Sequence, residues 1–331
     1  MKIFKADPSY WFRTCETNLG FIDSLFVKQV RHKPDFLRRM FDEDFARLFH
    51  PRNRRNGNLF QIVSNDDGVM QKLLGNVQLR RSRRSVDETI YELVTEIAKT
   101  LIWCGEAHYL IFDDTENGGV GVASFNSQGV LRLFGRHIQW VPKRNERHWD
   151  RENIELPREI RILDSAKVMR FEVPKTIKRM LTTQNRTLKV LDKYQFIRTT
   201  DFHLPPTHEN PNPTNHFDFE AWSDIQDISL YRATRSTGWN GRKYDASKRS
   251  DFFDCHRMIR FRRNQLSLRD AILYQLGNEL SRIGKNYTAE FSIKISATDQ
   301  LPSVAYLDEL TERLAAEKVG FTEIIDYCYK Q

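Results

Sequence analysis

The chain has 331 residues, of which 40% are hydrophobic and 22 are Phe, enough for a sizeable core and too many for wholesale disorder. Lys and Arg number 52 against 44 Asp and Glu, and the resulting net charge of +8 favours a polyanionic partner. The four cysteines, Cys15, Cys104, Cys255 and Cys328, are too widely spaced for a disulfide framework or a zinc ribbon.

The N-terminal "MKIFKADPSYWF" lacks the apolar core of a signal peptide. "KPDFLRRMFDEDFARLFHP" then predicts a helix, with Pro34 in its first turn and Leu37, Met40, Phe41, Phe45 and Leu48 along one face. "RNRRNGN" is a basic turn, and "LFQIV" suits a strand. The clearest helix follows "RRSRR": Ser85 and Glu88 form a capping box, Ile90, Leu93, Val94, Ile97, Leu101 and Ile102 form a buried stripe, and Gly105 ends it. "EAHYLIFDD" reads as a strand, "GVGVASFNSQGVLRLFG" as a hairpin turning at residues 126–129, and "HIQWVPKR" as a further strand. The most apolar stretch, "LIWCGEAHYLIF", contains Glu106 and His108 and is too short to span a bilayer, so no membrane association is expected.

Residues 145–165 are highly charged and are expected to form a surface loop. "KVMRFEVP" reads as a strand closed by Pro174, followed by a helix over "KTIKRMLTTQNRTLKVLDKYQFIR". Residues 203–216, with four prolines and three asparagines, cannot be regular structure. Residues 217–245 carry no clear period, with Gly238 and Gly241 marking a turn. "SLRDAILYQLGNELSRIG" predicts a helix capped by Ser267, with Asp270 at a capping position and Gly284 as its stop. "AEFSIKIS" alternates as a half-buried strand, "PSVAYLDELTERLAAEKVG" predicts a helix between Pro302 and Gly320, and Thr322 starts a last helix with Phe321 as staple. This divides the chain into a basic helical region (1–84), a helix with an antiparallel β region (85–175), a long helix with a Pro-rich loop (176–262), and a helix-strand-helix region (263–331).

Catalytic patterns are weak. Metal-dependent nucleases need an Asp followed by Glu-x-Lys on a strand, but in Asp164, Glu172 and Lys175 the last two are separated by three positions and Pro174, which on a strand points them apart. His203, His208 and His216 lie in the Pro-rich loop and read as a histidine-bearing linker rather than a zinc site. Cys255 and His256 are adjacent, so they point apart and form no dyad. No P-loop or dinucleotide fingerprint occurs, so neither cofactor nor nuclease or ATPase activity is expected. Three basic clusters remain for phosphates or acidic partners: Arg52, Arg54 and Arg55; Arg80, Arg81, Arg83 and Arg84; and "HRMIRFRR", with Arg257, Arg260, Arg262 and Arg263. The second cluster precedes a helix N-terminus, where positive charge is unfavourable, and so asks for a reason beyond stability.

The order of elements resembles the core of tailed-phage portal proteins over residues 85–200 and 250–330. Gly105, Ala107 and Tyr109 stand where that family has a G-x-A-Y strand, with His108 intervening. Gly320, Phe321 and Thr322 match the start of its late G-x-x-T-x-x-E turn, although Glu323 comes too early. The chain is short for the family, and residues 201–250 would have to supply the clip. The resemblance implies an α+β fold of long helices and small antiparallel sheets in a wing and stem arrangement. It also implies a non-enzymatic ring of about twelve subunits at a capsid vertex of a virion assembled in the host cytoplasm. Its channel would pass double-stranded DNA in packaging and ejection, and its partners would be capsid, terminase and head-completion proteins. The competing classes are a monomeric or dimeric cytoplasmic nucleic-acid-binding protein of a mobile element or phage-defence system, and an enzyme whose site is assembled from distant residues.

Overall fold

A computed structural model of the chain describes residues 2–3, 8, 19–27, 36–49, 58–75, 85–114, 119–148, 151–201, 227–241 and 251–328. It has an α+β architecture of long helices with small sheets. In chain order the elements are β1 (Lys2–Ile3), α1 (Phe21–Phe26), α2 (Phe36–Phe45), β2 (Phe60–Ser64), α3 (Asp67–Met70, continued by a π-turn to Gly75), α4 (Val86–Cys104), β3 (Glu106–Asp114), β4 (Gly119–Phe125), β5 (Val130–Leu133), β6 (Arg136–Val141), β7 (Arg144–His148), β8 (Arg151–Leu156), β9 (Glu159–Leu163) and β10 (Val168–Glu172). The second half carries α5 (Lys175–Asp201), helical backbone over residues 227–233 (α6), α7 (Asp251–Gly284), β11 (Ile293–Ala297), α8 (Val304–Ala315) and α9 (Phe321–Cys328).

The central helix forms as its sequence dictates. Ser85 accepts a hydrogen bond from the Glu88 amide and Glu88 reaches back to the Ser85 amide, satisfying orphan donors at the helix start. Gly105 ends it in the left-handed conformation at φ 80°. The stripe Ile90, Leu93, Val94, Ile97 and Leu101 is fully buried, packing α4 on β3, β10 and α7.

The strands form four small sheets. β3 pairs antiparallel with β4 and β10. Alternation puts Ala107, Tyr109 and Ile111 into the main core, with Leu110 packed into a second cluster on Phe125, Leu163 and Val168. A mixed sheet runs β1-β9-β6-β5, with β1 parallel to β9 and the other pairs antiparallel. β2 pairs with β11, so residues 60–64 lie against 293–297, and this pair packs on α7. The main core joins side chains from Phe41 to Leu301.

α7 is a single helix of 34 residues, about 50 Å long. Its second half, Leu268 to Ile283, enters the main core, and Cys255, Ile259 and Leu266 form another cluster with α8 and α9. The predicted cap at Ser267 is therefore corrected: Ser267 is mid-helix, and its hydroxyl donates to the Arg263 carbonyl at 2.9 Å, as serine does when no chain break follows.

Three further expectations are corrected. Residues 126–129 are not a hairpin turn, because β4 pairs with β3 while β5 pairs with β6; the turn hands the chain from one sheet to the other. The described residues between 145 and 165 carry strands β7, β8 and β9 rather than a loop, because antiparallel pairing of β7 with β8 and of β9 with β6 satisfies their backbone whatever their charge. Glu317, with φ 54°, takes the left-handed position after α8, so Gly320 instead precedes α9, which begins at Phe321.

Candidate functional site

Arg52, Arg54, Arg55, Arg80, Arg81, Arg83 and Arg84, and the histidines 203, 208 and 216, lie outside the described residues. The third basic run is on α7, where most of its charge serves the fold. Arg257 is buried, donating to the carbonyls of Trp239 and Tyr231 and to Thr234 Oγ1, and its guanidinium lies 4.3 Å from the Tyr231 ring. Arg262 is also buried and donates to the Leu48 carbonyl and to Gln265. Arg263 forms a two-pronged pair with Asp308 on α8. Arg260 donates to the Arg235 carbonyl and lines an open groove of about 670 Å³ with Val190 and Ala233. Helical spacing thus points four arginines in four directions, each toward a partner that no local pattern reveals.

A second cavity, of about 620 Å³, gathers residues from several elements. Strand β6 buries alternate positions, which turns His137 inward, level with Arg132 on β5 and Leu163 on β9. Strand β10 sends Met169 and Phe171 into the main core and leaves Arg170 and Glu172 on its other face. Helix α7 is clamped to this edge: Gln275 hydrogen bonds to both backbone groups of Glu172 at 2.9 Å. Arg282 donates to the carbonyls of Ser165 and Val168 at 2.7 and 2.6 Å. Lys175, the first residue of α5, completes the wall.

The electrostatics of this cleft are positive. Arg132, Arg170, Lys175 and Arg282 face two carboxylates, Glu172 and Glu279. Arg170 pairs with Glu172 and Arg282 with Glu279, each at 2.5 Å, while Arg132 and Lys175 have no ion pair among the described residues. His137 is 7% exposed; its Nδ1 lies 3.2 Å from Ser165 Oγ, and its Nε2 has no hydrogen-bond partner among the described residues. Burial holds its pKa below the ordinary value, and the guanidiniums of Arg132, Arg170 and Arg282 add to the effect. At neutral pH the ring is therefore an uncharged donor or acceptor.

Of the nuclease-like set, Glu172 and Lys175 both line this cleft, because Lys175 leaves the strand for α5 and so escapes the alternation that would have parted them. Asp164 does not join them; its carboxylate accepts from the Ala166 amide in the β9–β10 turn. Among the described residues no three His, Cys, Asp or Glu side chains are grouped to hold a metal ion. His137, Ser165, Arg132, Arg170 and Arg282 were not singled out from the sequence. The one available signal was His137 and Gln139 at inward positions of an otherwise apolar alternation.

Exposed apolar side chains among the described residues include two helical faces, on α1 and α9. Helix α1 is anchored on the mixed sheet: the buried Asp23 accepts from Trp140 Nε1 at 2.9 Å and Arg158 Nε at 2.7 Å, and Phe26 stacks on Trp140 at 4.3 Å. Its other face presents Phe21 and Leu25, 82% and 65% exposed. On α9, Ile324 and Cys328 are buried while Phe321 and Ile325, one turn apart, face solvent. Among the described residues no helix is long and apolar enough to cross a membrane.

No protein-family model matches the chain, and no curated protein matches it in sequence. Solved structures are similar in fold. An HK97-family phage portal protein from Corynebacterium diphtheriae shares 11% identity over 84% of this chain and 95% of its own, with a TM-score of 0.41. A chain in the neck of an empty gene transfer agent particle shares 11% identity over 86% of each chain, with a TM-score of 0.40. One in the virion of a native gene transfer agent particle shares 11% over 85% and 84%, with a TM-score of 0.34.

Proposed function

We propose that the protein is a non-catalytic, portal-like component of a phage-type particle that assembles head to tail into a ring and gives DNA a passage at a capsid vertex. The order of elements in the fold supports this reading. A capped helix ends at Gly105 and runs into the strand bearing Ala107 and Tyr109, then into β strands, a long helix, a connecting segment, a second long helix, and a strand-helix-helix end. The observation that carries assembly is the exposed apolar face of α1, a helix anchored to the sheet by Asp23 and Phe26. A helix locked by a buried carboxylate and a stacked Phe has no folding reason to hold Phe21 and Leu25 in water, and burial of such side chains against another subunit is favourable. A different apolar face, on α9, offers the unlike second surface that a head-to-tail contact requires.

The ring would contain about twelve copies and dock capsid, terminase and head-completion proteins. Light scattering coupled to size exclusion and negative-stain images of the purified chain test the reading. Closed rings that fall apart on Phe21→Ser with Leu25→Ser are expected. A strict monomer at tens of micromolar overturns it, and a monomer that retards DNA in a gel would instead mark a nucleic-acid-binding protein.

A further inference from the structure

We propose that the cleft between the β5–β6 turn, β10, α5 and α7 binds a phosphate group, with the β5–β6 tip contributing an aromatic contact at its mouth. Three independent observations meet there. Four cations project from four separate elements, β5, β10, α5 and α7, against two carboxylates. Arrival from several directions suits a tetrahedral oxyanion, whose oxygens need donors on all sides, better than a planar carboxylate. The Arg282 guanidinium is already fixed by two carbonyls and Glu279, so it loses little freedom on binding and offers only its remaining Nε and Nη1 hydrogens. Next, the buried His137 lines the cleft and its Nε2 has no partner among the described residues; with Ser165 Oγ donating to the Gly135 carbonyl and accepting from Nδ1, Nε2 is an acceptor, which suits the hydroxyl of a monoprotonated phosphate.

The tip supplies the remaining observation. Leu133 and Arg136 close a two-residue turn in which Phe134 and Gly135 have φ 50° and 78°. Such turns favour Asn-Gly, and a bulky residue in the first place is conformationally disfavoured. Phe134 is fully exposed, and Arg132 and Gly135 on either side of it line the cleft. A strained, solvent-facing aromatic ring beside a cationic cleft matches what a nucleotide needs, a stacking face next to phosphate donors. Phosphate binding at this cleft does not require ring assembly.

Two probes test it on the full chain in whichever assembly state it purifies: inorganic phosphate by calorimetry, and a labelled thymidine oligonucleotide by fluorescence anisotropy. Arg132 and Lys175 are exposed and unpaired among the described residues, so Arg132→Ala and Lys175→Ala should fold normally. Each should weaken phosphate binding about tenfold. Each should also flatten the dependence of log K on log salt for the oligonucleotide by about 0.7 for every phosphate that is no longer neutralised. Phe134→Ser should weaken the oligonucleotide several-fold and leave inorganic phosphate unchanged, which assigns the ligand to a nucleic-acid backbone. Phosphate binding abolished in Arg132→Ala, with the oligonucleotide insensitive to all three substitutions, assigns it to free phosphate. Failure of the wild-type chain to bind phosphate, equal binding by wild type and variants, or preference for an acidic peptide overturns the proposal.

Discussion

Replacing Asp42 by Asn should stabilise the protein above neutrality and change little in acid. Asp42 lies on α2 between Phe41 and Phe45, 6% exposed, and its Oδ1 has no hydrogen-bond partner among the described residues. Arg38 sits 3.6 Å away, one turn earlier, and Asn185 of α5 hydrogen bonds to the carboxyl. Burial outweighs both and pushes the pKa from 3.8 up to about 7. Below 3.8 the group is protonated in folded and unfolded chains alike, and no penalty exists. Between 3.8 and about 7 the unfolded chain releases the proton while the folded chain keeps it, so stability falls as pH rises; above 7 the penalty is complete. The gap, at about 1.4 kcal/mol per pH unit, amounts to roughly 4 kcal/mol. An asparagine keeps the shape without the charge. Urea unfolding of wild type and Asp42→Asn at pH 4.5 and pH 8 reads the difference, with Trp239, which meets Phe41 edge-on at 5.5 Å, as a nearby fluorophore. The variant should gain about 2–4 kcal/mol at pH 8 and about 1 kcal/mol or less at pH 4.5. Equal destabilisation at both pH values would mean that the Arg38 pair outweighs burial, and would refute the reasoning.

Gly238→Ala should cost about 2–4 kcal/mol in thermal or urea unfolding, because Gly238 has φ 81° and an added methyl would strike the Arg257 carbonyl and lie 2.8 Å from the Phe261 amide, both backbone atoms of α7. Ser85→Ala should cost about 1 kcal/mol through loss of the capping box, visible as a lower unfolding midpoint with unchanged helix content before the transition. Arg262→Ala should destabilise by about 1–3 kcal/mol, since the Leu48 carbonyl and Gln265 lose a buried charged donor. Arg263→Ala, which removes only an exposed pair with Asp308, should change stability by under about 1 kcal/mol in the same assay.

Local chemistry made much of the fold legible. The stripe from Ile90 to Leu101, the capping box at Ser85, the left-handed Gly105 and the strand Glu106–Asp114 follow from interactions among residues a few positions apart, and they stand where the pattern put them. The same holds for β2, β10, α5, β11 and the start of α8, whose end falls at Ala315 rather than at Gly320. The helices are decided by a single period and a pair of end signals, because their hydrogen bonds close within the element or its immediate flanks; the strands are marked by their alternation and flanking breakers, while their hydrogen bonds go to distant partners, as β2 to β11.

What the sequence could not carry was partnership. Alternation marked β4 and β5 as strands but said nothing of which edge each would meet, so a hairpin was expected where the chain in fact crosses between sheets. Ser267 is chemically a cap, and only the packing of Leu266 on α8 and α9 and of Leu268 on the main core keeps the helix running through it. The arginines of "HRMIRFRR" look alike in sequence, yet Arg257 and Arg262 are buried on carbonyls and Arg263 is paired with α8, because partners come from residues up to 214 positions away. The cationic cleft has the same origin. Arg132, His137, Arg170, Lys175 and Arg282 carry no common motif, and they meet because two sheets and two helices close on one edge, a long-range packing decision that no local spacing records.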